Sequence, residues 1–212
     1  MTWSIRVSAR AGRFAKLLRR HVHLPEGAYP GTCRDLGSAE REQRAASRPA
    51  ALRVRTNNVE VTFVDRHYGE QAELVDDFVI QRNDGVASYN LATVLDDEVQ
   101  GITEVVRGAD LLAGTARHVW LRKVLDLAPV EHAHVPLVMN NSGERLAKRD
   151  GAVTLADLAA VGVDADQVRA LLAESLELSG PDEQPTMHDL LDRFDPAALP
   201  REPSTWTTPP LT

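Results

Sequence analysis

Apolar and polar residues alternate from Ala51 to Arg55 and again from Val59 to Val64, the period of strands with one buried face. Asn57-Asn58 lies between the two runs as a turn, so they are expected to pair as a hairpin. Phe78 to Gln81 reads as a third strand that ends at the turn Asn83-Asp84-Gly85. From about Ser88 to Val99 the period lengthens to that of a helix, with Leu91, Leu95 and Val99 on one face. Asp96, Asp97 and Glu98 near its end are expected to be solvated. Next come Ile102 to Val106 as a short strand, Thr115 as a helix N-cap, a helix bearing Val119, Leu121, Val124 and Leu125, and a strand from Val135 to Met139. This order is a β-α-β unit, which implies parallel neighbours joined by a right-handed crossover, with ligand sites beyond the carboxyl ends of the strands. Arg107 follows the first of these strands and the loop Asn140 to Asp150 follows the second, so both are expected on one edge of the sheet.

Beyond Gly151 the pattern turns helical. Thr154 caps a segment ending at Gly162, Asp164 caps a longer one with Val168, Leu171 and Leu172, and Thr186 opens a third. The stretch from Pro200, with Pro203, Pro209 and Pro210, is expected to be irregular or an extended strap. The predicted class is α/β.

Composition narrows the function. The 212 residues carry a formal net charge of -7, which argues against nucleic-acid binding through a broad basic surface and leaves only local patches. One region departs from the acidic average: Arg6, Arg10, Arg13, Lys16, Arg19 and Arg20 precede the first acidic residue, Glu26. A basic arm for RNA, an organelle-type presequence and a stretch foreign to the fold compete there, and the last is favoured. No apolar run approaches the roughly 20 residues needed to span a bilayer, the amino terminus has no apolar stretch of the kind that follows a secretory signal's basic region, and the lone Cys33 fits a reducing compartment. A cytoplasmic location and no membrane partner are expected.

The loop Asn140-Asn-Ser-Gly-Glu-Arg-Leu-Ala-Lys-Arg-Asp150 presents three cations, Arg145, Lys148 and Arg149. Cations at a strand's carboxyl end suit a polyphosphate, where they can neutralise charge that builds as a pyrophosphate departs. Taken alone, Arg-x-x-Lys-Arg reads better as a solvated basic loop. It resembles, however, the KMSKS-type second signature of class I aminoacyl-tRNA synthetases in the form used by the glutamate enzymes, with Arg145 in place of the first lysine and Ala147 in place of the serine. Asp84-Gly-Val-Ala-Ser-Tyr-Asn-Leu-Ala92, Val94-Leu-Asp-Asp97 and Gly101-Ile-Thr-Glu-Val-Val-Arg-Gly-Ala-Asp110 resemble the glutamyl branch of that class in order and spacing.

The resemblance implies that Tyr89 and Arg107 contact the substrate glutamate. An arginine fork suits a carboxylate and a tyrosine hydroxyl can orient the amino acid. For Tyr89 the bland reading is a helix residue facing the core, and for Arg107 a surface-paired loop arginine. Glu104 stands where the branch usually has histidine, and no role is assigned to it; for Thr115-Ala-Arg117, capping is sufficient explanation. His132 and His134 flank a strand start and are expected on the surface or in the core rather than on a metal.

The short segment after the loop, ending in Leu199-Pro-Arg-Glu-Pro-Ser-Thr-Trp206, resembles the glutamyl-queuosine tRNA(Asp) synthetases, small paralogues without an anticodon-binding domain. That resemblance covers about Gly27 to Trp206. It implies activation of glutamate by ATP, with Mg2+, and transfer to the queuosine of tRNA(Asp) by a monomeric, cytoplasmic ligase. Lys148 takes the catalytic role and Arg145, Lys148 and Arg149 bind ATP. It also implies four segments: an unmatched basic leader (1–26), a connecting α/β segment (27–84), the second half of a Rossmann-type catalytic domain (85–151) and a helical segment with its tail (152–212). The family's first signature, a His-x-Gly-His-like clasp on ATP, is missing, so the chain is expected to be truncated and inactive alone, with a leader that has no partner in the fold. A fragment of an ordinary glutamyl-tRNA synthetase and a non-catalytic RNA- or protein-binding remnant remain as alternatives.

The same family places Zn2+ on a Cys-x-Cys pair followed by Tyr-x-x-x-Cys. Tyr29-Pro-Gly-Thr-Cys33 supplies the second half and Cys33 is the only cysteine; His21 and His23 sit closer to Tyr29 than the family's pair. An empty remnant is expected in place of an occupied site. Purified protein should therefore carry less than one equivalent of zinc by elemental analysis, and stoichiometric zinc that is lost in His21→Ala would promote the histidines to ligands.

Overall fold

The computed structural model describes residues 2–5, 28–146 and 154–205, and the chain divides into two compact units. The first comprises Met1–Asp65, Gly69–Val105 and Leu111–His132; the second comprises Arg66–Tyr68, Val106–Asp110 and Ala133–Thr212. Along the chain run β1 (Thr2–Ile5), α1 (Ser38–Ser47), β2 (Ala51–Val54), β3 (Val59–Asp65), β4 (Gly69–Val75), β5 (Val79–Gln81) and α2 (Tyr89–Val99). β6 (Glu104–Gly108), a 3-10 segment (Ala109–Gly114), α3 (Thr115–Val124) and β7 (Glu131–Val135) follow. The order closes with β8 (Val138–Met139), α4 (Leu155–Ala160), α5 (Ala165–Ser175), α6 (Met187–Arg193) and β9 (Ser204–Thr205). No helix among the described residues is long and apolar enough to cross a membrane.

The sheets have the orders β1-β2-β5, β4-β3-β7-β6 and β8-β9. β1 runs parallel and β5 antiparallel to β2; β3 pairs antiparallel with β4 and parallel with β7, where Asp65 meets His132. This is the mixed α/β architecture expected, and β6, α3 and β7 supply the β-α-β unit with its strands adjacent.

Several local expectations are corrected. β2 and β3 do not form a hairpin: they lie in different sheets, and the partner of β3 is β4, a strand the sequence reading passed over. Asn57 and Asn58 do adopt the left-handed backbone of a turn, with φ 57 and 51, but the turn is a link between sheets. It is tied by Asp77, whose carboxylate accepts from the Thr56 amide at 2.9 Å, and by Arg34, which donates to Asn57 Oδ1 at 2.9 Å. In β4, Gly69-Glu-Gln-Ala-Glu-Leu-Val75 has no clean two-residue alternation, so only its register with β3 reveals it. At the chain's start, Thr2–Ile5 has a partner after all, because β2 offers an open edge that β1 joins.

On α2 the buried residue is Val94, while Leu95 and Val99 are exposed. Glu98 accepts from buried Arg122 at 2.5 Å instead of being only solvated. Thr115 is the first residue of α3 and not its cap, which is Gly114; its buried hydroxyl donates to Leu111 O at 3.3 Å. The strand expected over 135–139 is split into β7 and β8, and Pro136 between them has no amide to give a ladder. Arg107 lies within β6, not beyond it. Thr154, Asp164 and Thr186 start their helices as expected, each as a capping box, and Ser88, read as the start of its helix, is the N-cap of α2.

The core of the first unit is Val54, Val75, Phe78, Val94, Ala116, Trp120 and Leu121, with Phe78 and Trp120 meeting edge to face at 5.9 Å. At its edge lie two adjacent buried carboxylates. Asp76 accepts from Arg117 at 2.8 Å and from the Tyr29 amide at 3.0 Å. Asp77 accepts from Arg34 at 2.9 Å and from Thr56, and its carbonyl accepts from Arg53, whose guanidinium lies 4.0 Å above the Tyr29 ring. Burial pushes the Arg53 guanidinium's pKa down, opposed by the negative groups around it. Asp77→Ala would strand the Thr56 amide and the Arg34 guanidinium, and should cost about 2–3 kcal/mol of stability, because loss of one partner leaves the other desolvated. Urea unfolding of the two proteins checks this, as a lower midpoint at unchanged slope.

Candidate active site

Within the second unit the structure gathers Arg107, Asp110, His134 and Arg145. β6 presents Arg107 half-buried, and its Nε donates to Nε2 of His134 at 3.0 Å. A guanidinium nitrogen can only donate, so that imidazole nitrogen accepts and the ring is neutral with its proton on Nδ1. His134 has no exposed surface (0%), so this partner of the arginine is a fixed one.

Gly108 follows, and a Cβ there would lie 2.7 Å from Asp110 Oδ1 and 3.2 Å from Leu137. The missing side chain makes room for the Asp110 carboxylate, which accepts from Arg145 in an ion pair. Arg145 is the first cation of the 140–150 loop, and the start of that loop is a defined turn. Asn140 Oδ1 accepts from the amides of Ser142 and Glu144, each at 2.9 Å, the Asn140 amide donates to Glu144 O at 2.7 Å, and Gly143 takes φ 74. Met139 and Arg145 then face each other across an antiparallel bridge. Lys148 and Arg149 lie outside the described residues.

Tyr89 belongs to the first unit. It opens α2 just after the Ser88 cap and is 61% exposed, so it does not face the core. Its ring lies 5.9 Å from that of buried His118, tilted by 47°, and His118 Nε2 is 3.0 Å from Asn90 Oδ1. The ring is thus braced while its surface stays open. His132 and His134 are both buried, two residues apart on one face of β7.

Tyr29 and Cys33 do come together: the Cys33 amide donates to the Tyr29 hydroxyl at 2.5 Å. The thiol sulfur accepts from Arg44 at 3.9 Å. Among the described residues no group of three His, Cys, Asp or Glu side chains could hold a metal ion, and His21 and His23 lie outside them. The residues described do not fit zinc.

His134, His118, Asp110 and Gly108 were given no role by the sequence reading. The two-residue spacing of His132 and His134 was the signal available for the first, since it places both on one face of a strand.

Residues 18–190 match the model of the tRNA synthetases class I (E and Q), catalytic domain. A curated relative from Nocardia farcinica, a glutamyl-Q tRNA(Asp) synthetase, is 54% identical over 182 residues, covering 85% of this chain and 57% of the relative. Another of that name from Symbiobacterium thermophilum is 41% identical and covers 92% of this chain and 62% of the relative. The chain thus spans about three-fifths of the length of these relatives. Among solved structures, a glutamate tRNA ligase from Elizabethkingia meningosepticum superposes with a TM-score of 0.64 at 21% identity, covering 82% of this chain and 40% of that one. At that identity the likeness is one of fold.

Proposed function

The chain belongs to the family of class I tRNA synthetases for E and Q, as part of their catalytic domain, and from that premise we propose that it serves ATP-dependent activation of glutamate and its transfer to the queuosine of tRNA(Asp). The observation that carries this reading is the second unit's pairing of an oriented arginine, Arg107 on His134, with a turn-anchored loop whose first cation, Arg145, is held by Asp110. One element suits a carboxylate and the other suits phosphates. The names of relatives at 54% and 41% identity support the glutamate substrate and the tRNA(Asp) acceptor. Charging of tRNA(Glu) in place of queuosine-bearing tRNA(Asp) would instead identify an ordinary glutamyl-tRNA synthetase.

In the reaction a glutamate carboxylate oxygen attacks the α-phosphorus of ATP, the bond to the β-phosphate oxygen breaks, and pyrophosphate leaves. The acyl carbon of the adenylate is then attacked by the RNA acceptor and AMP departs. Arg107 takes the role of carboxylate fork, with Tyr89 orienting the amino acid by its hydroxyl. Arg145, Lys148 and Arg149 hold the phosphates, with Mg2+ on the nucleotide, and Lys148 meets the charge that grows on the leaving pyrophosphate. We place residues 85–151 in the second half of the Rossmann-type domain and the protein in the cytoplasm as a monomer.

In a chain extended to its relatives' full length, Lys148→Ala should lower ATP–pyrophosphate exchange by roughly 100-fold or more while glutamate affinity changes little, because its interaction belongs to the transition state. Unchanged exchange would take Lys148 out of the mechanism. Arg107→Lys should raise the KM for glutamate by about tenfold despite the retained charge, since a point ammonium cannot replace a planar fork; an unaltered KM removes the carboxylate assignment.

A further inference from the structure

We propose that the strap at 200–205 positions the cation-bearing loop, by completing the small strand from which that loop departs. β8 is two residues long, and its Val138 is 39% exposed, so burial does little to hold it. Hydrogen bonding holds it on both edges. On one edge Val138 and Met139 pair in parallel with Ser204 and Thr205 of β9, and the Ser204 amide donates to Leu137 O at 3.0 Å. On the other edge the Leu146 amide donates to Val138 O at 2.9 Å and Met139 bridges to Arg145.

A strand has only two edges, so the strap and the loop's return segment flank β8 from opposite sides. Two short strands alone make a marginal pair, whereas a third gives the middle one a full set of ladder bonds. The strap therefore stiffens β8, and β8 fixes where Arg145 stands.

The strap is itself fastened at its start. His67 Nε2 lies 3.1 Å from Pro200 O, which as a carbonyl can only accept, so this nitrogen carries the proton. The Tyr68 hydroxyl donates to Arg201 O at 3.0 Å, and the two rings meet edge to face at 5.1 Å. His67 is buried, which makes it a rigid post. Ser204, Tyr68 and His67 are thus positioning residues, acting through β8 on the loop. What the loop does with phosphate rests on the function proposed above; that the strap orders it does not.

The test is native-state hydrogen exchange on the 212-residue chain, comparing the parent with Ser204→Pro, which removes the amide given to Leu137 O and fixes the backbone there, and with Tyr68→Phe, which removes the hydroxyl that donates to Arg201 O. The readouts are the amides of Leu146 and Asn140, bonded to Val138 O and Glu144 O, and the internal control is the Val168 amide at the start of α5, bonded to Asp164 O. Ser204→Pro should speed exchange at Leu146 and Asn140 by roughly fivefold to tenfold, the scale of one net hydrogen bond, with Tyr68→Phe giving a smaller rise and Val168 unchanged in both. Unchanged exchange at the two loop amides overturns the inference. So does an equal rise at Val168, which would reduce the strap to a general stabiliser. ATP affinity is measured on the same variants in a chain extended to its relatives' full length: accelerated loop exchange with equal ATP binding in parent and variant supports the strap's role and counts against the phosphate role of the loop.

Discussion

Two adjacent carboxylates, Asp76 and Asp77, are the constraint on which the first unit is arranged. Both are nearly inaccessible to water, and a buried carboxylate is tolerated only when donors surround it. Those donors come from distant parts of the sequence: the Tyr29 amide, Arg34, the Thr56 amide and Arg117. The four donors fix three separate segments: Tyr29 and Arg34 the 29–34 turn, Thr56 the link after β2, and Arg117 the first turn of α3. The carboxylates thereby settle how β2, β4 and α3 meet the core formed by Val54, Val75, Phe78 and Trp120. The same arrangement uses Arg53 and Arg117 to hold the buried carboxylates and the segment around them.

The second unit uses charge in the opposite sense. Arg107 donates to the buried imidazole of His134 and Arg145 pairs with the Asp110 carboxylate, and both arginines are at least partly accessible. Gly108 is what permits the spacing, because any side chain there would collide with the Asp110 carboxylate.

What the sequence determined by itself was local or written in motif spacing. The helix starts at Ser88, Thr154, Asp164 and Thr186 could be read because a cap is a contact among residues three apart. The left-handed backbone at Asn57 and Asn58 was equally local, as was the loop chemistry from Asn140 to Arg145. The family resemblance, too, was carried by short strings such as Gly101 to Asp110. Tertiary structure decided which strands pair: the Asn57-Asn58 turn was legible, but whether it closed a hairpin depended on Asp77, about twenty residues later. It likewise chose Val94 over Leu95 and Val99 as the inward residue of α2, because the apolar stripe of a short helix leaves more than one face open until a neighbour covers one. The partners of Arg107 and of β8, His134 and Ser204, come from across the chain. Hydrogen bonds between distant segments leave no period in the sequence, so only the folded chain could assign them.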